Sequence, residues 1–296
     1  GITGMAEVAN FVESFSLQFA HLSDLSEIQR ELMEINESNI ESLALNFSKH
    51  IQDIEYSTIC WIILSVSITK PLQNDSLAKF CKILIQNQPP EFKEEFKKSI
   101  IRDFKSMHIN TFFYRKIYLY CENLFSETEM RNLLKLRINR KHEIVFFYKE
   151  FPEFATNLDE IDPKELDCFV ETGFNLNKLQ KTIRDDDIDE FQRAFVAERI
   201  NPNKHINTNS LLERIPLLRN SPTLIEYAAF YGSIKIFKYL LLQQANLNNC
   251  DKAKRTTFTF ALAGGNTEII HIIHQEQTQK KEFKVTTDIL RNAIMF

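Results

Sequence analysis

Apolar residues recur at helical spacing through the first half of the chain. From Asp24 to Ile35 they fall at Leu25, Ile28, Leu32 and Ile35, which predicts a helix. Residues 38–54 repeat the pattern with Ile40, Leu43, Ala44, Phe47 and Ile51. Residues 56–68 and 76–86 read as a helix pair, stopped by Pro71 and restarted with Asn74 or Asp75 as the cap. Pro89 and Pro90 close that pair. Helical stretches follow at 91–106, 111–123, 127–136 and 142–149, before a break at Phe151–Phe154. The longest uncharged run, Tyr56 to Thr69, has 14 residues, too few to span a bilayer. It reads as a buried core helix with Trp61 inside it.

Periodicity on a longer scale appears after residue 220. Residues 223–248 read TLIEYAAFYGSIKIFKYLLLQQANLN and residues 256–273 read TTFTFALAGGNTEIIHII. Ala228 and Ala261 are 33 residues apart, as are Gly232 and Gly265, Ile236 and Ile269, and Phe237 and Ile270. The unit is a helix–turn–helix. Thr223 caps its first helix, with Glu226 completing a capping box. Ala228 and Ala229 allow close helix approach, and Gly232 marks a turn at positive φ. Neither helix buries its apolar face alone, so such units must stack.

Composition narrows the classes. Of 296 residues only 6 are Gly, and two of these, Gly1 and Gly4, lie in a GITG leader that reads as an artificial remnant before Met5. Neither GxGxxG nor GxxxxGK[ST] occurs, which excludes the usual glycine-rich phosphate cradles. A net charge of -4 argues against a general nucleic-acid binder. Cys60, Cys81, Cys121, Cys168 and Cys250 are widely spaced without a CxxC, so neither a disulfide framework nor a zinc site is expected. No signal-peptide pattern follows Met5, and the expectation is a cytoplasmic protein.

The repeat sequence resembles the ankyrin family, whose helix-opening TPLHLAA and later G-x-x-x-I-V-x-x-L-L stretch correspond to residues 223–248. Departures are specific. Lys254 stands at the hairpin-tip glycine, Thr257 at the proline, Thr259 at the histidine and Gln244 at the glycine before Ala245. The resemblance therefore implies irregular hairpin fingers on intact helices. Fainter likenesses occur at Thr182–Phe195, with Asp186 at the turn glycine, and at Cys168–Asn177. An insertion around 198–220 would absorb the 46-residue distance from Asp186 to Gly232. Residues 286–296 look like a first helix without its partner. Low Gly, Ala and Pro with abundant Ile, Asn, Lys and Phe resembles the divergent ankyrin families of protists with AT-rich genomes.

The resulting expectation is an all-α fold, a helical solenoid of antiparallel helix pairs that is ankyrin-like in its C-terminal half. Residues 5–150 form a divergent helical domain, either degenerate repeats or an unrelated one. Residues 155–296 form the ankyrin-like domain, clearest at 221–275. The resemblance implies protein binding without chemistry. Its concave surface would present Glu226, Phe230 and Tyr231 from one repeat and Asn249, Asp251, Lys252, Lys254, Arg255, Thr259 and Ala263 from the next. An exposed Phe230 or Tyr231 would be the anchor. The partner is another protein, with no membrane and no cofactor, metal or catalytic residue.

The rival reading is an all-helical enzyme with a divalent-metal or carboxylate site at 185–190, where RDDDIDE gathers Asp185, Asp186 and Asp187. Aspartates before a helix also serve as caps, the reading preferred here. His271 and His274, three apart on one helix, lack a third ligand. The basic run 131–142 and the aromatic stretch Thr111–Tyr120 read as a charged face and a buried stripe, rather than a nucleic-acid surface. Residues 155–190 carry 11 Asp or Glu against 4 Lys or Arg, so this acidic stretch faces either the basic run or a partner.

Overall fold

The computed structural model describes residues 24–50, 54–106, 109–154, 158, 161–207 and 210–279. The residues at 286–296 lie outside that set. Among the described residues the protein is all-α, built of stacked helix pairs without a strand; two isolated bridges pair His205 with Thr223 and Cys250 with Thr256. Packing divides the chain between Leu133 and Leu134. The expected boundary near 155 falls inside the second unit. There Phe146 stacks on Phe169 at 4.7 Å, which ties 141–154 to the helix after it.

In the first unit residues 24–33 form α1, followed by α2 (Ile40–His50), α3 (Tyr56–Thr69), α4 (Asn74–Asn87), α5 (Pro90–Asp103), α6 (Thr111–Tyr120) and the start of α7 (Glu127–Lys135). Helices α2, α4 and α6 pack as one row, and α3 packs on α5 in a second. The row beginning at Ile40, Asn74 and Thr111 has steps of 34 and 37 residues, and α3 to α5, from Tyr56 to Pro90, is again 34. The tripeptide Ser-Leu-Ala recurs with the same offset, at 42–44 and 76–78, and its Leu and Ala are buried in both copies. The N-terminal unit is thus a stack of helix pairs at a repeat-like period.

Its joints are made by Pro and Asn. Pro71 opens a short 3-10 turn after α3, and Pro90 is the first residue of α5. Asn74 does not act as a side-chain cap. Its fully buried amide turns inward, and Nδ2 donates to the Ser67 carbonyl at 2.8 Å. Asn110 Nδ2 donates to the same carbonyl and to Asn74 Oδ1, both at 2.6 Å, while Asn110 Oδ1 caps α6 by accepting from Phe113 N at 3.1 Å. In α6 residues 111–117 are buried, Arg115 and Lys116 included.

Trp61 corrects the expectation of a core residue: it is 64% exposed. Ile59, Cys60, Ile62, Ile63 and Val66 occupy the inward side of α3. A helix packed on one side has room for only part of an uncharged circumference.

The second unit continues with α8 (Lys141–Ile144), α9 (Pro163–Thr172), α10 (Lys178–Arg184), α11 (Ile188–Ala197), α12 (Leu224–Tyr231), α13 (Ile234–Leu242), α14 (Thr257–Gly264) and α15 (Thr267–Gln279). Helices α10, α12 and α14 form one row; α11, α13 and α15 form the other. Helices α12 and α14 approach each other closely. A Cβ on Gly264 would lie 2.0 Å from the Phe230 carbonyl oxygen, so only glycine fits. On α13 Ile236, Phe237 and Leu240 are fully buried, each side chain contributing about 1.5–3 kcal/mol, while Leu241, expected on the same stripe, is half-buried.

Candidate protein-binding face

The turns of the second unit share one geometry. After α12, Gly232 has φ 72° and Ser233 N bonds to Ala228 O, five residues back, at 2.9 Å. The same five-back bond runs from Asp187 to Thr182 after Asp186 (φ 50°), from Ile200 to Phe195 after Arg199 (φ 51°) and from Ala245 to Leu240 after Gln244 (φ 63°). Each is the left-handed ending of a helix. Lys254 adopts φ 64° at the tip of its loop. Asp186, Gln244 and Lys254, where the sequence lacks glycines of the repeat, all take the glycine conformation, at a cost on the order of 1 kcal/mol each.

The aspartate run has structural duties. Asp186 accepts the backbone amides of Lys235 and Ile236 at 3.1 and 3.0 Å, so it caps α13 of the following pair. Asp187 caps its own α11 through Glu190 N at 3.1 Å. Asp185 pairs with Lys181, and Glu190 with Lys178 and Arg193. No group of three or more His, Cys, Asp or Glu among the described residues is placed to hold a metal; His271 and His274 are both exposed. The basic run also finds local partners, Arg131 with Glu127 and Arg137 and Arg140 with Glu143. From the acidic stretch, Asp167 and Glu171 pair with Lys149.

The loop between α13 and α14 is closed by its own buried ion pair. Arg255 Nε and Nη2 meet Asp251 Oδ2 at 2.8 and 2.5 Å, and Asp251 Oδ1 accepts the amides of Ala253 and Arg255, both at 2.9 Å. Arg255 Nη2 also donates to the Leu217 carbonyl at 2.6 Å. Successive loops are tied together through Lys252 N to Asn220 O at 2.9 Å and Leu224 N to Lys204 O at 3.1 Å. Asn203 Oδ1 accepts from Asn246 N and Asn249 Nδ2 at 2.8 and 3.0 Å.

Segment 201–220 contributes to the core of the second unit. Its Leu212, Ile215, Leu217 and Leu218 are buried, the last three in one core with α12 and α14. Glu226, Phe230, Asp251, Arg255, Thr259 and Ala263 are buried, against the expectation of an open concave surface. Tyr231, half-buried, has its ring against Tyr227, Phe230 and Phe174, so the aromatic anchors belong to the core. Asn249 is half-buried, and Lys252 and Lys254 are exposed. Together with exposed Lys204 and His205, which the sequence pattern did not single out, they form a basic edge along the loops.

Behind that edge lie displaced carboxyls. The predicted capping box is present, with Thr223 N donating to Glu226 Oε2 at 2.6 Å. Burial pushes Glu226 up to about 7, opposed by its Thr223 hydrogen bonds and reinforced by Asp251. Glu213 is pushed up to about 6 by burial, moderated by its bond from Ile215 N and by nearby arginines. Arg184 and Arg214 lie 4.5 and 4.7 Å from the ring centre of Phe174, which fixes segment 201–220 against α9 and α10.

A family model described as ankyrin repeats (many copies) matches residues 225–274. That part of the chain is an ankyrin-repeat region. It runs from α12 into α15, the two pairs whose first helix ends at glycine. No curated protein and no solved structure matches the chain. Among the described residues no helix is long and apolar enough to cross a membrane.

Proposed function

We propose that this protein is a non-enzymatic interaction scaffold in the cytoplasm, whose second unit binds another protein along the edge of its loops. The observation that carries this reading is the exposed set Lys204, His205, Lys252 and Lys254 on loops whose backbones are fixed to one another. Preordered loops lose little conformational entropy on binding. The basic edge favours an acidic polypeptide segment. Asn249 and the tip residues stay in the proposed surface; Glu226, Phe230, Asp251, Arg255, Thr259 and Ala263 support it from beneath. The ankyrin-repeat region is consistent with such use. Low glycine and its replacement at turns support kinship with the divergent ankyrin families of AT-rich protists. Capping duties at 185–190 argue against the carboxylate enzyme.

The test is affinity purification from the native cell with wild type, Lys252→Glu/Lys254→Glu, and Lys238→Glu as a control away from the edge. A partner retained by wild type and control, lost by the double variant and rebound as a purified protein supports the reading. Retention of every partner by the double variant contradicts it.

A further inference from the structure

Helix α3 carries no charged residue over its 14 positions, yet one side of it faces solvent. Ser57, Trp61, Ser65 and Ile68 follow one another along that side at spacings of four, four and three, and Leu72 lies exposed just beyond the helix. Trp61, the only tryptophan in the chain, sits near the middle of the helix. A large exposed aromatic on an uncharged strip has the composition of an interface centre.

The flanking charge is divided between two ends. Helices α3 and α5 begin at a shared groove of about 590 Å³, where Glu55, Glu91, Glu94 and Glu95 outnumber Lys98. Glu55, Glu91 and Glu94 are exposed there. At the other end of α5 stand exposed Arg102 and Lys105, with Lys70 closing α3. The acidic ends of two copies repel when aligned in parallel. Turned antiparallel about a two-fold axis through the middle of α3, each acidic end meets the basic end of its mate, and the two Trp61 side chains come together at the axis.

We infer that the α3 face is a self-association surface, pairing two copies of this chain antiparallel with Trp61 at the centre. It is separate from the loop edge assigned to a foreign partner. A single tryptophan makes it directly observable, because selectively excited tryptophan emission reports this face alone.

The experiment is sedimentation equilibrium of the full chain from low to high micromolar concentration, with Trp61 emission recorded in the same samples. The expected result is a rise from one to two chain masses with a parallel blue shift. Trp61→Asp should abolish the doubling with unchanged far-UV circular dichroism. Glu91→Lys/Glu94→Lys should weaken association at least tenfold, and added salt should weaken the wild type. A single-chain mass at every concentration overturns the inference, whether Trp61 is then open, covered by another part of the chain or bound to phosphatidylcholine vesicles. Doubling that survives Trp61→Asp also overturns it, and doubling indifferent to the glutamate changes overturns the antiparallel pairing.

Discussion

The two units stack helix pairs in two rows at similar periods but close their joints with different chemistry. In the first, steps of 34 and 37 residues are joined by Pro71, Pro90 and the buried Asn74–Asn110 pair; Asn123 is its one left-handed non-glycine residue among those described. In the second, helix after helix ends at a left-handed residue: Gly173, Asp186, Arg199, Gly232, Gln244, Gly265. Only residues 225–274, where glycine still ends the first helix of each pair, match the ankyrin family model. A repeat family is therefore recognised by its turn chemistry and small contact residues. Stacking itself needs only apolar faces and a suitable period.

The largest effect is expected where α12 meets α14 at Gly264. Gly264→Ala should destabilise the second unit by about 3 kcal/mol or more, because the clash is with backbone. Urea unfolding monitored by circular dichroism reads the loss. In the first unit, Asn74→Ala leaves the Ser67 carbonyl and the Asn110 amide short of a partner and should cost about 2 kcal/mol by the same measurement.

A smaller effect of opposite sign is expected where a turn has drifted from glycine. Lys254→Gly, at φ 64°, should stabilise by about 0.5–1 kcal/mol, the relieved left-handed strain exceeding the extra freedom gained by the unfolded chain. A lower midpoint would mean that the lysine side chain holds the loop.

The remaining expected effect is a change of slope with pH. Glu226 is raised to about 7 in the folded protein from an ordinary 4.5, so the folded state favours its neutral form. Its relative stabilisation is complete in acid and is lost as pH rises from about 4.5 through 7. Glu226→Gln keeps an acceptor for Thr223 N and should flatten melting temperature against pH between 5 and 8. An unchanged slope would assign the pH dependence elsewhere, with Glu213 acting in the same direction.

Local chemistry was readable in the sequence. The Thr223–Glu226 capping box, the equivalent turns at Gly232 and Gly265, and Asp186, Gln244 and Lys254 as glycine substitutes all depend on a few neighbouring residues. What depends on distant chain was not. Segment 201–220 meets Arg255 through the Leu217 carbonyl and shares a core with Phe230, and nothing in their own repeat announces that cover. Trp61 misled because an uncharged helix shows no polar face from which to tell its outer side. The Ser-Leu-Ala repeat was legible, but two short matches with different joints do not resemble the glycine-marked pairs.

Among the described residues two stacks are each held by their own kind of joint. Segment-resolved amide hydrogen exchange of Gly264→Ala and Asn74→Ala beside the wild type tests it most directly. Faster exchange confined to residues 223–279 in the first variant and to 40–120 in the second is the predicted result. Loss of protection across both units in either variant would contradict the claim.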